Sequence, residues 1–206
     1  MSRFRGPKGK IVRRFGVNIY GNPKFDRLLA RRQNPPGMHG GFKGRRKISE
    51  YGKQLIEKQK LKYTYGLGER QFRIIFKRAL RHKGITGDNL MIMLESRLDN
   101  TVFRMGMAPT RDAARQLILH GHLKLNNRRV NISSFQVTQN DTVTVKESTR
   151  SRGLVQRYVD ENISAEIPEW VSVDRDNLKA TVDRVPLREE VPTIANEQLV
   201  VELYSK

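Results

Sequence analysis

Residues 96–147 read SRLDNTVFRMGMAPTRDAARQLILHGHLKLNNRRVNISSFQVTQNDTVTVKE, and their pattern decides the fold. Leu98, Val102 and Met105 recur at helical spacing. Ser96 is a suitable N-cap and Gly106 a suitable stop for that helix. Thr110, after Pro109, opens a second helix with Ala113, Ala114, Leu117 and Ile118 on one arc, closed by Gly121. Alternation then replaces the helical period. His122–Asn126 and Arg129–Ile132 read as strands across a tight turn, where Asn126 and Asn127 tolerate positive φ. Thr142–Lys146 reads as a third strand, entered from a turn at Asn140-Asp141.

Arginines border the apolar face of both helices: Arg97 and Arg104 on the first, Arg111 and Arg115 on the second. A charged row is ordinarily a solvated face. Here all four are arginine, and few acids are interleaved to pair with them. The planar guanidinium fork suits phosphate better than a point charge does. The expectation is therefore a surface that holds a sugar-phosphate backbone, extended by Lys124, Arg128 and Arg129 at one end of the sheet.

The totals agree with a polyanionic partner. The chain has 206 residues, enough for one or two domains, a formal charge of +19 and a pI near 10.6. The charge is uneven. Residues 1–47 hold fourteen basic residues against one acid, Asp26, whereas residues 151–206 hold seven basic residues and eleven acids. The polyanion should meet the N-terminal three quarters, and protein neighbours the acidic end. The longest apolar run is short, Leu90 to Leu94, so no membrane span is expected. The N-terminus lacks the apolar core of a secretory signal. The absence of cysteine excludes disulfides and thiolate metal sites.

Residues 1–45 are punctuated by Gly6-Pro7, Gly21-Asn22-Pro23 and Asn34-Pro35-Pro36-Gly37. They read as a basic tail, or as an arm that orders against nucleic acid, with a short helix around Asp26–Arg32. Ser49 caps a helix to about Tyr63, with Tyr51, Leu55 and Leu61 inward and Lys53, Lys58 and Lys62 outward. A second helix spans Glu69–His82, with Phe72, Ile75, Phe76 and Ala79 inward. A third starts at Thr86, its Leu90, Met91, Met93 and Leu94 in the core. Beyond the central stretch, residues 150–165 read as a helix, and Glu169–Val173 and Lys179–Val185 as strands. The only tryptophan, Trp170, is expected in the core. Asn196–Lys206 is apolar enough to dock.

No catalytic chemistry is legible. His39, His82, His120 and His122 lack metal-ligand spacing, and His120 and His122 read as caps or phosphate contacts. No G-x-x-x-x-G-K-[ST] or G-x-S-x-G motif is present. Asp99 and Asp112 read as ion-pair or helix-start residues. No cofactor, metal or catalytic residue is expected.

Several segments now carry a resemblance: Arg3, Gly6-Pro7, Arg13-Arg14 and Gly16; Pro35-Pro36-Gly37-Met38-His39-Gly40; Tyr51-Gly52; Glu57–Lys60; Tyr65-Gly66; Glu69–Arg73; Leu94–Asn100; Thr110-Arg111; Ala114–Leu117; His120-Gly121-His122; and Asn196–Lys206. The whole chain resembles the bacterial small-subunit ribosomal protein S-four family. The resemblance implies an α+β fold: a helical domain, a small antiparallel β-sheet RNA-binding domain with packed helices, and an extended basic N-terminal arm. The corresponding boundaries are 1–45 for the arm, 46–95 for the helical domain with the 188–206 tail docking back, and 96–187 for the RNA-binding module with its strand-rich extension. It implies direct binding to the 5′ domain of 16S ribosomal RNA, nucleation of subunit-body assembly and a part in translational accuracy. The implied partners are ribosomal protein S-five, other small-subunit proteins and messenger RNA where it enters the subunit, in the cytoplasm. Charge pattern and resemblance nominate as RNA-binding Arg3, Arg13, Arg14, Lys47, Lys58, Lys62, Arg70, Arg73, Arg97, Arg104, Thr110, Arg111, Arg115, Gln116, His120, Lys124, Arg128 and Arg129.

The chain also departs from that family. Many relatives carry a four-cysteine zinc site near the N-terminus; two of those positions correspond to Gly9 and Val12. Met38 replaces a glutamine, and Asn127 and Asn140 stand where relatives often have turn glycines. Two other readings remain: an RNA-modifying enzyme sharing the module, and a general nucleic-acid-binding protein.

Overall fold

A computed structural model describes Phe4 and residues 6–41, 48–162, 166–192 and 194–205. Among these the helices are α1 (Lys8–Phe15), α2 (Pro23–Arg31), α3 (Glu50–Thr64), α4 (Glu69–Ala79), α5 (Thr86–Glu95), α6 (Leu98–Arg104), α7 (Arg111–Leu119), α8 (Thr149–Glu161) and α9 (Glu197–Tyr204). The strands are β1 (Leu123–Leu125), β2 (Arg128–Arg129), β3 (Thr142–Val145), β4 (Val171–Asp174) and β5 (Lys179–Val182). The chain forms two compact units, Met1–Gly87 with Thr193–Lys206, and Asp88–Pro192. The fold is α+β.

In the first unit, residues 8–31 are not an extended arm. Gly16 at φ 70° ends α1, and the Asn22 side chain accepts from Lys24 N to start α2, whose first residue is Pro23. Ile11, Val12, Ile19 and Phe25 are buried. Lys8 lies 5.0 Å from the Tyr20 ring centroid. The apolar residues are too few to stand out in so basic a segment, yet they suffice for two short helices. At Gly9 a Cβ would meet Leu28 Cδ2 at 2.9 Å, so the absent cysteine position is occupied by close helix packing.

α3 buries Leu61 as its sequence suggests but otherwise turns a different face inward. Tyr51 is 59% exposed, whereas Gln54, Lys58, Leu61 and Tyr65 are buried. The reason is α9, which packs along α3. Gln54 Nε2 donates to Glu202 at 2.9 Å, and the Asn196 amide donates to Glu57 Oε2 at 2.9 Å. Tyr204 stacks on Phe76 with centroids 4.5 Å apart. Val200 is fully buried beneath.

The second unit is one core between helices and a five-stranded antiparallel sheet of order β2-β1-β3-β5-β4. Leu123, Leu125, Val143, Val145, Ala180 and Val182 face inward with Leu98, Val102, Leu117 and Ile118. Trp170 is among its fully buried side chains. Asn126 (φ 47°) and Asn127 (φ 64°) make the two-residue turn that pairs Leu125 with Arg128. β2 is shorter than Arg129–Ile132. Past Arg129 the chain leaves the sheet, because the carbonyls of Ser133 and Phe135 accept from the Asp99 and Leu98 amides at the start of α6. That start also differs. Arg97, not Ser96, is the N-cap, and Ser96 Oγ donates back to Ile92 O at 2.8 Å. Ser49 and Thr110 cap α3 and α7 as expected.

Candidate nucleic-acid interface

The four arginines of the central stretch do not form one solvent-facing row. Arg97 is 3% exposed and grips Asp99 with two bonds, Nε to Oδ1 at 3.1 Å and Nη2 to Oδ2 at 2.9 Å. Arg115, at 6%, donates from Nε to the same Oδ2 at 2.7 Å. Asp99 is therefore a buried anion between two guanidinium groups. Arg104 makes a two-bond fork to the buried Glu95 carboxylate at 3.0 and 2.9 Å. Asn100 Nδ2 donates to Glu95 Oε2 at 2.6 Å, and its Oδ1 accepts from Arg111 Nε at 2.7 Å. Arg111 also lies 4.6 Å from the Phe103 ring centroid. The expectation that these arginines lack acidic partners is thus corrected. The acids come from the end of α5 and from α6 itself, with Asp112 on α7 a further 3.7 Å partner of Arg115. They tie three helix ends together, because a buried charge needs a paired, hydrogen-bonded counter-charge.

A second pairing removes two lysines from the free surface. Lys58 Nζ and Lys62 Nζ donate to Glu69 at 2.7 and 3.0 Å, and Tyr204 Oη donates to it at 3.0 Å. Burial raises the Glu69 carboxyl, but the three hydrogen bonds outweigh it and hold the group at about 2. Burial, then the neighbouring carboxylate, push the Tyr204 phenol well above its ordinary range. Lys58 therefore faces α4 and α9, not outward.

The remaining nominated residues divide by exposure. Arg70 and Arg73 are exposed on α4, opposite its buried Phe72, Ile75, Phe76 and Ala79. Arg14 is exposed on α1, while Arg13 donates to the carbonyls of Asn34 and Pro35 at 3.0 and 3.3 Å and clamps that turn. Thr110 caps α7 by accepting from Ala113 N at 3.1 Å. Gln116 and His120 are exposed on and just after α7. Arg3 and Lys47 lie outside the described residues.

The β1–β2 edge concentrates positive charge. Arg128 and Arg129 are both exposed, and Lys124 sits directly opposite Arg129 in the antiparallel register. Like charges opposed across a ladder are destabilising in isolation. The acid nearest Lys124 is Glu147 at 3.6 Å, itself largely exposed. Gly121, at φ 70°, makes room for Arg129: a Cβ there would lie 2.5 Å from Nε. Next to this edge, His122, Lys146 and Arg150 line the same groove as His120 and Arg129. Sequence reading passed over Lys146 and Arg150, which sit on separate elements and meet only when β3 and α8 pack. Among the described residues no group of His, Asp or Glu is arranged to hold a metal ion, and no helix is long and apolar enough to cross a membrane.

Comparison with known proteins converges on one family. The model described as "Ribosomal protein S4/S9 N-terminal domain" matches residues 3–95, and that of the S4 domain matches residues 96–143. The chain is 51% identical to the small ribosomal subunit protein uS4 of Borrelia hermsii over 207 residues, covering 100% of this chain and 99% of that relative. It is 51% identical to that of Borrelia turicatae with the same coverage. With that of Akkermansia muciniphila it shares 46% identity over the full length of both.

Proposed function

The chain belongs to the small ribosomal subunit protein uS4 family, and from that premise we propose that it binds the 5′ domain of 16S ribosomal RNA directly and nucleates assembly of the subunit body. The family role is structural and RNA-binding, not enzymatic. In this reading residues 1–45 track the RNA backbone, 46–95 and 96–187 present two basic surfaces, and the 188–206 tail secures the first of them. The acidic end faces ribosomal protein S-five and other small-subunit proteins, through which the chain contributes to translational accuracy. Messenger RNA passes nearby as it enters the subunit. The protein works on the ribosome, in the cytoplasm.

The observation that carries the RNA reading is the β1–β2 edge, where Arg128 and Arg129 are exposed and Lys124 faces Arg129. That placement is unfavourable in the free chain and is relieved by a polyanion, with counterion release adding to affinity. Arg70, Arg73, Arg14, His120 and Gln116 extend the contacts to phosphate and sugar. Arg97, Arg104 and Arg115 act from behind, holding α6 and α7 in place, and Arg111 bridges the two roles. Shape of a folded junction, not a base string, is what such a surface reads.

Filter binding tests this with a transcript of the 16S 5′ domain against duplex DNA of equal length at matched salt. The reading predicts much tighter binding to the ribosomal transcript. Equal affinity would favour a general polyanion binder instead.

A further inference from the structure

A groove of about 540 Å³ opens beside the end of α7, β2 and the start of α8. His120, His122, Arg129, Lys146 and Arg150 line it, and among the described residues no acidic one does. These groups come from four places in the fold: the end of α7 for His120, the residue before β1 for His122, β2 for Arg129, and the β3–α8 connection with the first turn of α8 for Lys146 and Arg150. The two imidazoles lie 6.0 Å apart.

The hydrogen bonds around His122 make it responsive to protonation. Its Nδ1 is 2.9 Å from Ser151 Oγ, and Ser148 Oγ donates to Ser151 Oγ at 2.7 Å. With Ser148 as donor, the Ser151 hydroxyl is left to donate to the unprotonated Nδ1 of a neutral ring. When Nδ1 takes a proton the bond reverses: the ring donates, and the Ser151 hydroxyl is released to donate into the groove. In the free protein protonation is disfavoured. Burial, then His120, Arg150 and Lys146, hold His122 below its ordinary value of 6.5.

We propose that this groove seats one phosphodiester group of RNA and that its occupation is coupled to proton uptake by His122. The inference rests on the RNA-binding reading above and deepens it. A phosphodiester is fully ionised at neutral pH. Its charge offsets the surrounding cations, so the imidazolium that the free protein disfavours becomes the favoured form. The released Ser151 hydroxyl adds a donor for a phosphate oxygen. The proton comes from solvent, no covalent bond changes, and the bound state carries one more proton than the free protein. The sign follows: affinity is highest below the free-state midpoint of His122 and declines as pH rises through the bound-state midpoint.

The test is a histidine-selective NMR titration of the full chain, free and saturated with the 16S 5′-domain transcript, beside filter binding of the same samples. The His122 signal is identified by its loss in His122→Asn. The midpoint should rise by about one pH unit on RNA binding, with an affinity about tenfold higher at the acidic limit than at the basic one. Lys146→Gln with Arg150→Gln, both exposed, should shrink the RNA-induced shift, whereas Arg152→Gln on the same helix should leave it. RNA that binds while the His122 midpoint stays put overturns the proposal and spares the RNA reading. Absence of specific RNA binding overturns both. A shift with inorganic phosphate alone but none with RNA makes the groove a free-anion site and overturns the RNA assignment.

Discussion

Replacing Asp99 by asparagine removes the anion that Arg97 and Arg115 share without changing its size. Both guanidinium groups lie in the core, at 3% and 6% exposure, and Asp99 is itself 1% exposed. The variant leaves Arg97 and Arg115 facing a neutral acceptor in a place that water does not reach, with Asp112 still 3.7 Å from Arg115. Breaking a buried pair in this way costs about 3–5 kcal/mol. That is a large fraction of the roughly 5–15 kcal/mol that holds a typical domain together. Trp170, the chain's only tryptophan, is buried in the same unit, so its fluorescence reports the unfolding of residues 88–192. With a urea m value of about 2 kcal/mol/M, the midpoint should fall by about 2 M. Glu147→Gln, which removes the exposed partner of Lys124, is the control and should cost less than about 0.5 kcal/mol. The companion variant Arg97→Met/Asp99→Leu/Arg115→Met replaces the whole triad by apolar groups, and such replacements are often neutral or stabilising. It should recover most of the lost midpoint and keep RNA affinity. An Asp99→Asn midpoint within about 0.5 M of the parent would refute the structural role of the triad, given the size of the penalty expected for an unpaired buried charge. So would a stably folded triple variant that no longer binds RNA.

Three further outcomes follow from the same geometry. Glu69, held at about 2 by Lys58, Lys62 and Tyr204, contributes stability that is fully present above its ordinary value of 4.5 and is lost as pH falls towards 2; because its side chain is half exposed, the contribution is about 1 kcal/mol, and thermal melts of Glu69→Gln followed by circular dichroism between those limits should lose that much of the acid sensitivity. Val200→Ala opens space at the buried side chain of α9 and should cost about 2 kcal/mol, read as faster amide exchange in α3 and α9. Arg128→Ala with Arg129→Ala should weaken RNA binding and flatten the slope of log affinity against log salt by about one to two, one per phosphate released; an unchanged slope would contradict the role given to the β1–β2 edge.

What could be read from the sequence was whatever is local. Ser49 and Thr110 announce their helices because a cap is a bond to the next turn. Asn126-Asn127 announces its hairpin because left-handed φ is a property of the residue. The alternation in β1 and β3 and the burial of Trp170 follow from the same kind of reading. What eluded it depends on partners far along the chain. Arg115 meets Asp99 sixteen residues away, and Arg104 meets Glu95 across the α5–α6 turn. Neither pairing is a spacing that a helix face makes visible, so arginines that look unpaired along the chain are paired in space. The inward face of α3 is set by α9, more than a hundred residues later. α1 escaped, and α2 was legible only from Asp26 onward, because four buried apolar residues are diluted among basic ones. The groove at the start of α8 adds Lys146 and Arg150, unremarked in their own neighbourhood, to His120, His122 and Arg129.

The most direct test of the central claim is sedimentation. Tagged chain expressed in bacterial cells should migrate with the small ribosomal subunit on a sucrose gradient and stay there after a high-salt wash, since a specific seat on folded RNA outlasts screening that strips non-specific contacts. Recovery of the washed chain at the top of the gradient, free of the small subunit, would contradict it.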